Sequence, residues 1–221
     1  MIMMDADAAQ PQTKRKAADA LGLLEVKGEA FGCRLLDLAA KSAPLRETYG
    51  RFVCPGKMLL FIYGSAAAVQ TAIAAAKAIT DAEVKAEAMT MTEATATDQT
   101  GEAGGMLITS LFLPAVHNSL WPAMTGVTPL SPNYMDCGLA LVETYSVASV
   151  LEAADAMAKA ASITLLRIRM ASGLSGKGLI VAGGKVADLR EAGQAAMKSI
   201  GDMLADLRII PHPHPELWAL V

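Results

Sequence analysis

The chain has few aromatic residues, few histidines and no excess of positive charge. Aromatic residues make up 5% of its 221 residues, and it contains 3 histidines. The formal net charge is −3 at pH 7, which argues against nucleic acid as a main partner. With so few histidines, a Ser-His-Asp or Cys-His catalytic arrangement has no support in the sequence.

Long apolar runs and dense cysteine patterns are also missing. The most apolar stretch, residues 104–116, is shorter than the roughly 18 residues that a membrane-spanning helix needs, and it contains Ser110 and Pro114. The N-terminus has no apolar core before a small-residue cleavage site, so we expect no secretory signal. The 3 cysteines fit a reducing compartment better than a disulfide framework. We therefore expect no membrane partner.

What the sequence does contain is an internal repeat. Residues 20–27 resemble residues 138–145, and a helical segment with an Asp-x-x-x-Lys pattern follows each of them. Each half then has an Arg, a glycine-containing loop and a Gly-Lys, and each ends on His-x-x-x-Trp. The paired positions are Asp37 and Lys41 with Asp155 and Lys159, Arg51 and Lys57 with Arg169 and Lys177, and His117 and Trp121 with His214 and Trp218. A repeat of about 100–120 residues is typical of a whole domain duplicated in tandem.

The repeat divides the chain into two domains. Residues 1–18 are interpreted as a disordered tail, with a targeting or packing arm as the alternative. The first domain covers residues 19–121 and includes a polar insert, residues 85–105, which is interpreted as a surface loop. A proline-containing linker, residues 122–137, leads to the second domain, residues 138–221.

Hydrophobic periodicity predicts the order β-α-β-β-α-β in each half. The predicted strands cover residues 20–27, 46–53, 57–64, 106–113, 138–145, 163–170, 177–183 and 204–210, and the predicted helices cover residues 28–43, 66–82, 147–161 and 185–200. This order predicts an α+β fold class, with two ferredoxin-like units whose helices cover one face of an antiparallel sheet. A regulatory or enzymatic ferredoxin-like protein acting on a small molecule remains an alternative, because the order alone does not define a function.

Both halves resemble the shell domains of bacterial microcompartments. The residues that carry the resemblance are the strands that end near Glu25 and Glu143, the two Asp-x-x-x-Lys helices, the segment LALVETYSVASVLEAADAMAKAASITLLRIRMASG and the ending IIPHPH. Two such domains in one chain resemble the tandem-domain shell proteins. The resemblance implies a structural protein rather than an enzyme, a homotrimer that imitates a hexamer, and tiling with other shell proteins in the shell of a cytoplasmic microcompartment.

The first half resembles more narrowly the iron–sulfur type of shell protein from propanediol-utilisation microcompartments. The segments VCPGKMLLFIYG and MLITSLFLPAVHNSLWPAMTG carry this resemblance. It implies that Cys54 lies near a threefold axis and is a metal ligand, with one [4Fe–4S] cluster per trimer held by three copies of Cys54. It further implies electron transfer across the shell, with an encapsulated or cytosolic redox enzyme as a partner.

The residues themselves leave the state of Cys54 open. No Cys-x-x-Cys pair occurs in the sequence, so a single chain has no evident cluster site. Three thiolates from three chains can hold a [4Fe–4S] cluster if an outside ligand or water completes it, and Lys57 could help to stabilise the thiolate charge. An unmetalled thiol and a mononuclear metal at the same place are the alternatives. Cys33 and Cys137 are interpreted as ordinary buried or linker residues.

The two glycine-containing loops match the pore position of the family. Aligning Arg51 with Arg169 sets Cys54 opposite Ser172. The resemblance implies a pore lined by Pro55, Gly56, Ala171, Ser172 and Gly173. Without a cluster, such a ring could pass small polar metabolites, because backbone N–H and hydroxyl groups offer hydrogen bonds.

Two lysines and two histidines complete the set of candidate residues. Lys41 and Lys159 match the family's edge lysine, which packs against a neighbouring disc. The alternative is a solvated charge that pairs with the aspartate four residues earlier. His212 and His214 are interpreted as part of a turn fixed by prolines rather than as a metal site.

Overall fold

The computed structural model describes residues 19–90, 107–128, 137–170 and 176–218 of the chain. The predicted tail (residues 1–18) and the greater part of the predicted insert (residues 91–105) lie outside these described residues. Within them, each half has the predicted β-α-β-β-α-β order.

The first domain, in its described residues, consists of four strands and three helices. They are β1 (Asp19–Lys27), α1 (Glu29–Ser42), β2 (Glu47–Val53), β3 (Lys57–Ser65), α2 (Ala66–Thr90), β4 (Leu107–Leu113) and α3 (Leu120–Thr125). Helix α1 buries Gly32, Leu35 and Ala39, whose spacing puts them on one side of the helix. Gly28, with φ 89°, allows the sharp change of direction between β1 and α1.

The second domain repeats this arrangement and ends on a short helix. Its elements are β5 (Gly138–Thr144), α4 (Val147–Ala160), β6 (Thr164–Met170), β7 (Gly178–Gly184), α5 (Val186–Ile200), β8 (Leu204–Ile210) and α6 (Pro215–Trp218). A single 3-10 turn, Gly201–Met203, joins α5 to β8.

Each domain has one four-stranded antiparallel sheet. The strand orders are β2-β3-β1-β4 and β6-β7-β5-β8. Glu25 lies opposite Leu59, and Glu143 lies opposite Leu179. In both domains, the pairing with the last strand shifts register immediately after this glutamate. The ferredoxin-like α+β architecture is confirmed, and the two copies agree even in this irregularity.

The two faces of the first sheet belong to different apolar clusters. Leu24 and Leu60 lie in the cluster formed with helices α1 and α2, which is the core of the first domain. Leu23 and Leu59 point to the opposite face, because neighbouring residues of a strand alternate in direction. They belong to a second cluster, which includes Val142 and the buried residues of α4 and α5. The two domains therefore share an apolar core.

Two boundaries differ from the sequence prediction. Helix α2 continues to Thr90, so the insert begins as helix rather than as surface loop. Residues 83–90 consist mostly of Glu, Lys, Ala and Met, which favour helix even where they are polar. Helix α3 includes Pro122, which the sequence predicts to be the first residue of the linker. A proline is tolerated in a first helical turn because the N–H groups there have no partner within the helix.

None of the helices in the described ranges is long and apolar enough to cross a membrane.

Candidate functional site

Cys54 lies at the tip of the turn between β2 and β3. Cys54, Pro55 and Gly56 are all exposed, and the peptide bond between Cys54 and Pro55 is cis. Gly56 has φ 56°, a conformation that side chains disfavour. The backbone N–H of Gly28 donates to the carbonyl oxygen of Gly56 at 2.8 Å. This hydrogen bond ties the thiol-bearing turn to the start of α1.

Lys57 points back to the sheet. Its Nζ lies 3.1 Å from Oε1 of Glu25, a side chain that is almost completely buried. The ammonium group therefore neutralises a buried carboxylate at the base of the turn. This placement does not support the suggested help of Lys57 to a Cys54 thiolate.

The corresponding charges of the second domain are arranged differently. Glu143 is exposed, and Lys177 lies with its Nζ 5.6 Å from the centre of the Tyr145 ring. Asp206 of β8 lies opposite Glu143. Its carboxylate accepts a hydrogen bond from Arg208 Nε at 2.9 Å. This hydrogen bond holds the pKa of the Asp206 carboxyl below its ordinary value. The two domains thus share a backbone and differ in the charges beside the loops.

The three thiols lie apart along the fold. Cys33 is exposed on α1, Cys54 is exposed in its turn, and Cys137 is half-buried just before β5; none forms a disulfide. The exposure of Cys33 corrects the expectation of a small buried residue, and it follows from the open side of α1 described below. In the part of the chain that the structure describes, no three His, Cys, Asp or Glu side chains are grouped to hold a metal ion.

The second predicted loop lies mostly outside the described residues. Ala171, Ser172 and Gly173 fall in the stretch 171–175, so their pore-lining role stays a prediction. The flanking strands support the alignment of the two loops. Arg51 pairs with Leu59 just as Arg169 pairs with Leu179, which is the corresponding residue of β7.

Asp155 and Lys159 connect the second domain to the first. Oδ1 of the buried Asp155 accepts the backbone N–H of His117 at 2.8 Å. Lys159 pairs with the other carboxylate oxygen of Asp155, and its Nζ lies 3.4 Å from the carbonyl oxygen of Pro114. We call this set the domain joint: Pro114, His117, Asp155 and Lys159. Its contacts give Lys159 a role inside the chain, and its predicted role at the tiling edge stays a prediction.

Asp37 and Lys41 form the same pair in solvent. Lys41 Nζ lies 2.6 Å from Asp37 Oδ2, and both side chains are exposed. The predicted tiling role of Lys41 is likewise untested by this geometry. Repetition of both Asp-x-x-x-Lys and Pro-x-x-His in the sequence was the signal from which the domain joint could have been found.

The turns that contain His117 and His214 are copies of one another. The carbonyl oxygen of His117 accepts the backbone N–H of Leu120 at 3.1 Å, and that of His214 accepts the N–H of Leu217 at 2.9 Å. In both turns the Nδ1 atom accepts a backbone N–H two residues later, from Ser119 at 3.3 Å and from Glu216 at 3.4 Å. The predicted repeat of His-x-x-x-Trp therefore has a common local structure.

Comparisons with known proteins match both halves of the chain. Residues 20–93 and 138–213 match the family model of the BMC domain. The bacterial microcompartment shell protein PduT of Citrobacter freundii is 34% identical over 203 residues, which cover 91% of this chain and 96% of PduT. The shell protein PduA of the same organism is 38% identical over 82 residues, 36% of this chain and 85% of PduA. The crystal structure of a microcompartments protein from Desulfitobacterium hafniense DCB is similar with a TM-score of 0.74 and 30% identity, covering 91% of this chain and 99% of that one.

Proposed function

We propose an electron-transfer role for this chain, which belongs to the BMC-domain family of bacterial microcompartment shell proteins. It is a tandem-domain structural shell protein, not an enzyme, and it assembles with other shell proteins. The proposed unit is a homotrimer that imitates a hexamer and forms a facet tile. At its axis, three Cys54 thiolates hold one [4Fe–4S] cluster.

The duplication supports a homotrimer. PduA matches only one domain's length of this chain, whereas PduT matches nearly the whole of it. Because this chain carries two copies of the same domain, three chains supply the six domains of a pseudohexamer. Each chain then contributes one β2–β3 turn with a thiol and one β6–β7 loop without it, so the axis receives three thiols.

The exposure of Cys54 is the observation that carries the proposed cluster site. The thiol lies uncovered at the tip of a turn that is fixed to the fold through Gly56 and Gly28. Within the described part of one chain no set of ligands is grouped, and we propose that the remaining thiolates are Cys54 of other copies. Thiolates are the usual ligands of iron–sulfur clusters.

The protein's part in this function is to hold and position the thiolates. The hydrogen bond from Gly28 to Gly56 restrains the turn, and the pairing of Lys57 with Glu25 holds the ammonium group at the base of the turn. A bound [4Fe–4S] cluster would supply one-electron transfer. The proposed partner is a redox enzyme inside the microcompartment or in the cytosol.

Anaerobic purification followed by iron and sulfide analysis tests this function. We expect about four irons and four acid-labile sulfides per three chains, with brown colour and broad visible absorption. Cys54→Ser should remove the iron and the absorption because the protein loses its thiolate ligands. Cys137→Ser is the control, since it removes a thiol just before β5, away from the β2–β3 turn, and should leave the cluster intact.

The same experiment separates the alternatives. A colourless, iron-free wild-type protein would overturn the electron-transfer role and favour an open pore for small metabolites. One iron per trimer without sulfide would indicate a mononuclear metal. Equal iron in wild type and Cys54→Ser would show that the ligands lie elsewhere.

A further inference from the structure

The repeat provides two Pro-x-x-His turns and two Asp-x-x-x-Lys helices, and the domain joint uses one of each. Inside the chain, the turn at the end of the first domain contacts helix α4 of the second domain. The corresponding turn at the end of the second domain contains Pro211 and His214, both exposed. The counterpart of the α4 pair is Asp37 with Lys41 on helix α1, also exposed.

The chain geometry supports this correspondence at both ends. Pro114 follows β4 directly, and Pro211 follows β8 directly. Leu113 and Ile210, the last residues of these strands, pair with Leu21 and Leu139, which are equivalent positions of β1 and β5. The hydrogen bonds of the His117 and His214 turns also match, as described above. Each group of the domain joint thus has a structural equivalent elsewhere in the chain.

Helices α1 and α4 differ in burial on the side that forms the joint. The Asp155 side chain is 9% exposed and that of Asp37 is 57% exposed. One helical turn earlier, Leu151 is completely buried, whereas its counterpart Cys33 is exposed. Residues at i and i+4 share one helix face, so this difference defines a side of α1 that is open in the single chain.

A second copy of this chain is the occupant that fits the open side of α1. The domain joint shows that this type of helix face binds this type of turn, and the chain carries one more of each. A contact between two different surfaces of the same molecule is heterologous, and repeating it produces a ring when the rotation closes. In such a ring, the second domain of one copy contacts the first domain of the next copy in the same way as the first domain contacts the second within a chain.

We propose that the domain joint recurs between chains. Asp37 of one copy accepts the backbone N–H of His214 from the next copy, and the ammonium of its Lys41 donates to the Pro211 carbonyl oxygen of that copy. Cys33 is covered by the same contact. This contact rests on the homotrimer of the proposed function and names the residues that close it.

A pair of equivalent substitutions tests the contact. Asp37→Ala removes the acceptor of the contact between chains, and Asp155→Ala removes the acceptor of the joint within the chain. For Asp37→Ala we expect the apparent dissociation constant to rise about tenfold for each joint, the usual size of a hydrogen bond to a charged group. Sedimentation velocity at micromolar concentration measures it. The midpoint of thermal unfolding of the dissociated Asp37→Ala chain should match that of the dissociated wild-type chain. Asp155→Ala should lower this midpoint.

Thiol labelling gives a second measurement that does not depend on this substitution. In a Cys54→Ser, Cys137→Ser protein, maleimide should modify Cys33 at least about tenfold more slowly in the trimer than after dilution to single chains. A cysteine introduced by Ala187→Cys in a chain without the native cysteines is the control. Ala187 is exposed on α5, and labelling there should not change with dilution.

Different results would contradict the contact and the proposed trimer. A wild-type protein that stays monomeric would overturn the homotrimer itself. This contact alone would be overturned if the wild-type protein is a trimer, the Asp37→Ala trimer has the same dissociation constant, and Cys33 is labelled at the same rate in the trimer and in single chains. Iron content reports on the Cys54 site and is independent of both results when the trimer is intact.

Discussion

At the scale of single residues, one Asp-x-x-x-Lys pattern occupies two environments. The exposed Asp37–Lys41 pair is a helix surface pair of the kind that contributes about 0.3–0.5 kcal/mol. Asp155 is buried and also accepts a backbone N–H from the first domain. The pattern predicts the pairing, but the contribution of the pair to stability depends on whether the neighbouring domain buries it.

Gly178 is a residue where a methyl group should be strongly destabilising. A Cβ atom at this position would lie 2.3 Å from the Cβ of Val150 on α4, a stiff β-branched side chain in the core. We expect Gly178→Ala to lower the free energy of unfolding by about 1–3 kcal/mol, as overpacking does in other cores. Urea denaturation followed by circular dichroism measures this change.

Gly183 provides the control on the same strand. Its added Cβ would approach Leu166 Cδ1 at 3.4 Å, an ordinary contact with a flexible side chain. Gly183→Ala should therefore cost little, or stabilise slightly by restricting the unfolded chain. A loss for Gly183→Ala as large as that for Gly178→Ala would show that strand glycines matter here for their backbone and not for helix packing.

At the scale of elements, the starts of α1 and α4 are built differently. Helix α4 has a reciprocal capping box, in which Ser146 Oγ accepts the N–H of Ser149 at 3.1 Å and Ser149 Oγ accepts the N–H of Ser146 at 3.2 Å. Helix α1 begins after Gly28, which makes no side-chain cap. The second domain therefore carries a local stabilising feature that its copy lacks.

Ser146→Ala should destabilise the chain by about 1 kcal/mol, because it leaves N–H groups of the first turn without their partner. Thermal and urea unfolding measure the effect. Ser162→Ala changes an exposed serine just after the same helix and should alter stability by less than about 0.5 kcal/mol. Equal effects of the two substitutions would contradict a capping role.

The order of elements could be predicted from the sequence because the apolar periodicity is strong in both halves. The end of α2 could not, since a polar helix and a polar loop have similar composition, and residues 85–90 are mostly Lys, Glu, Ala and Thr. Helix α3 is not evident from the sequence because Pro122 is also typical of a linker. The pairing of Lys57 with Glu25 could not be predicted from the sequence either. It depends on β1 and β3 pairing so that Glu25 lies within its reach.

At the scale of the whole molecule, duplication was evident in the sequence, and the way the copies pack was not. Periodicity indicates which residues of an element are buried, but it does not tell whether the neighbour is a helix of the same domain or of the other one. Leu23 and Leu59 illustrate this, because they belong to the cluster that contains Val142. The shared core should couple the unfolding of the two domains.

The two tryptophans allow this coupling to be measured, because each half contains one. Trp121 lies beside the Tyr63 ring, at 6.3 Å between ring centres, and Trp218 is buried against the sheet of the second domain. In Trp218→Phe, fluorescence reports on the first domain, and in Trp121→Phe it reports on the second. We expect the two proteins to have the same urea midpoint by fluorescence. In each protein, the midpoint by circular dichroism should equal the one by fluorescence.

Coupling follows from the position of the apolar contacts. Unfolding the second domain alone would expose the side chains of β1 and β3 that belong to the shared cluster, and would leave the His117 N–H without Asp155. Each buried Leu or Phe that becomes exposed costs about 1.5–3 kcal/mol, so a half-unfolded chain is strongly disfavoured. The measurement should be made at one protein concentration, since assembly adds stability that depends on concentration. Two separate midpoints, with the circular dichroism curve split between them, would show that the domains fold independently and that the shared cluster contributes little.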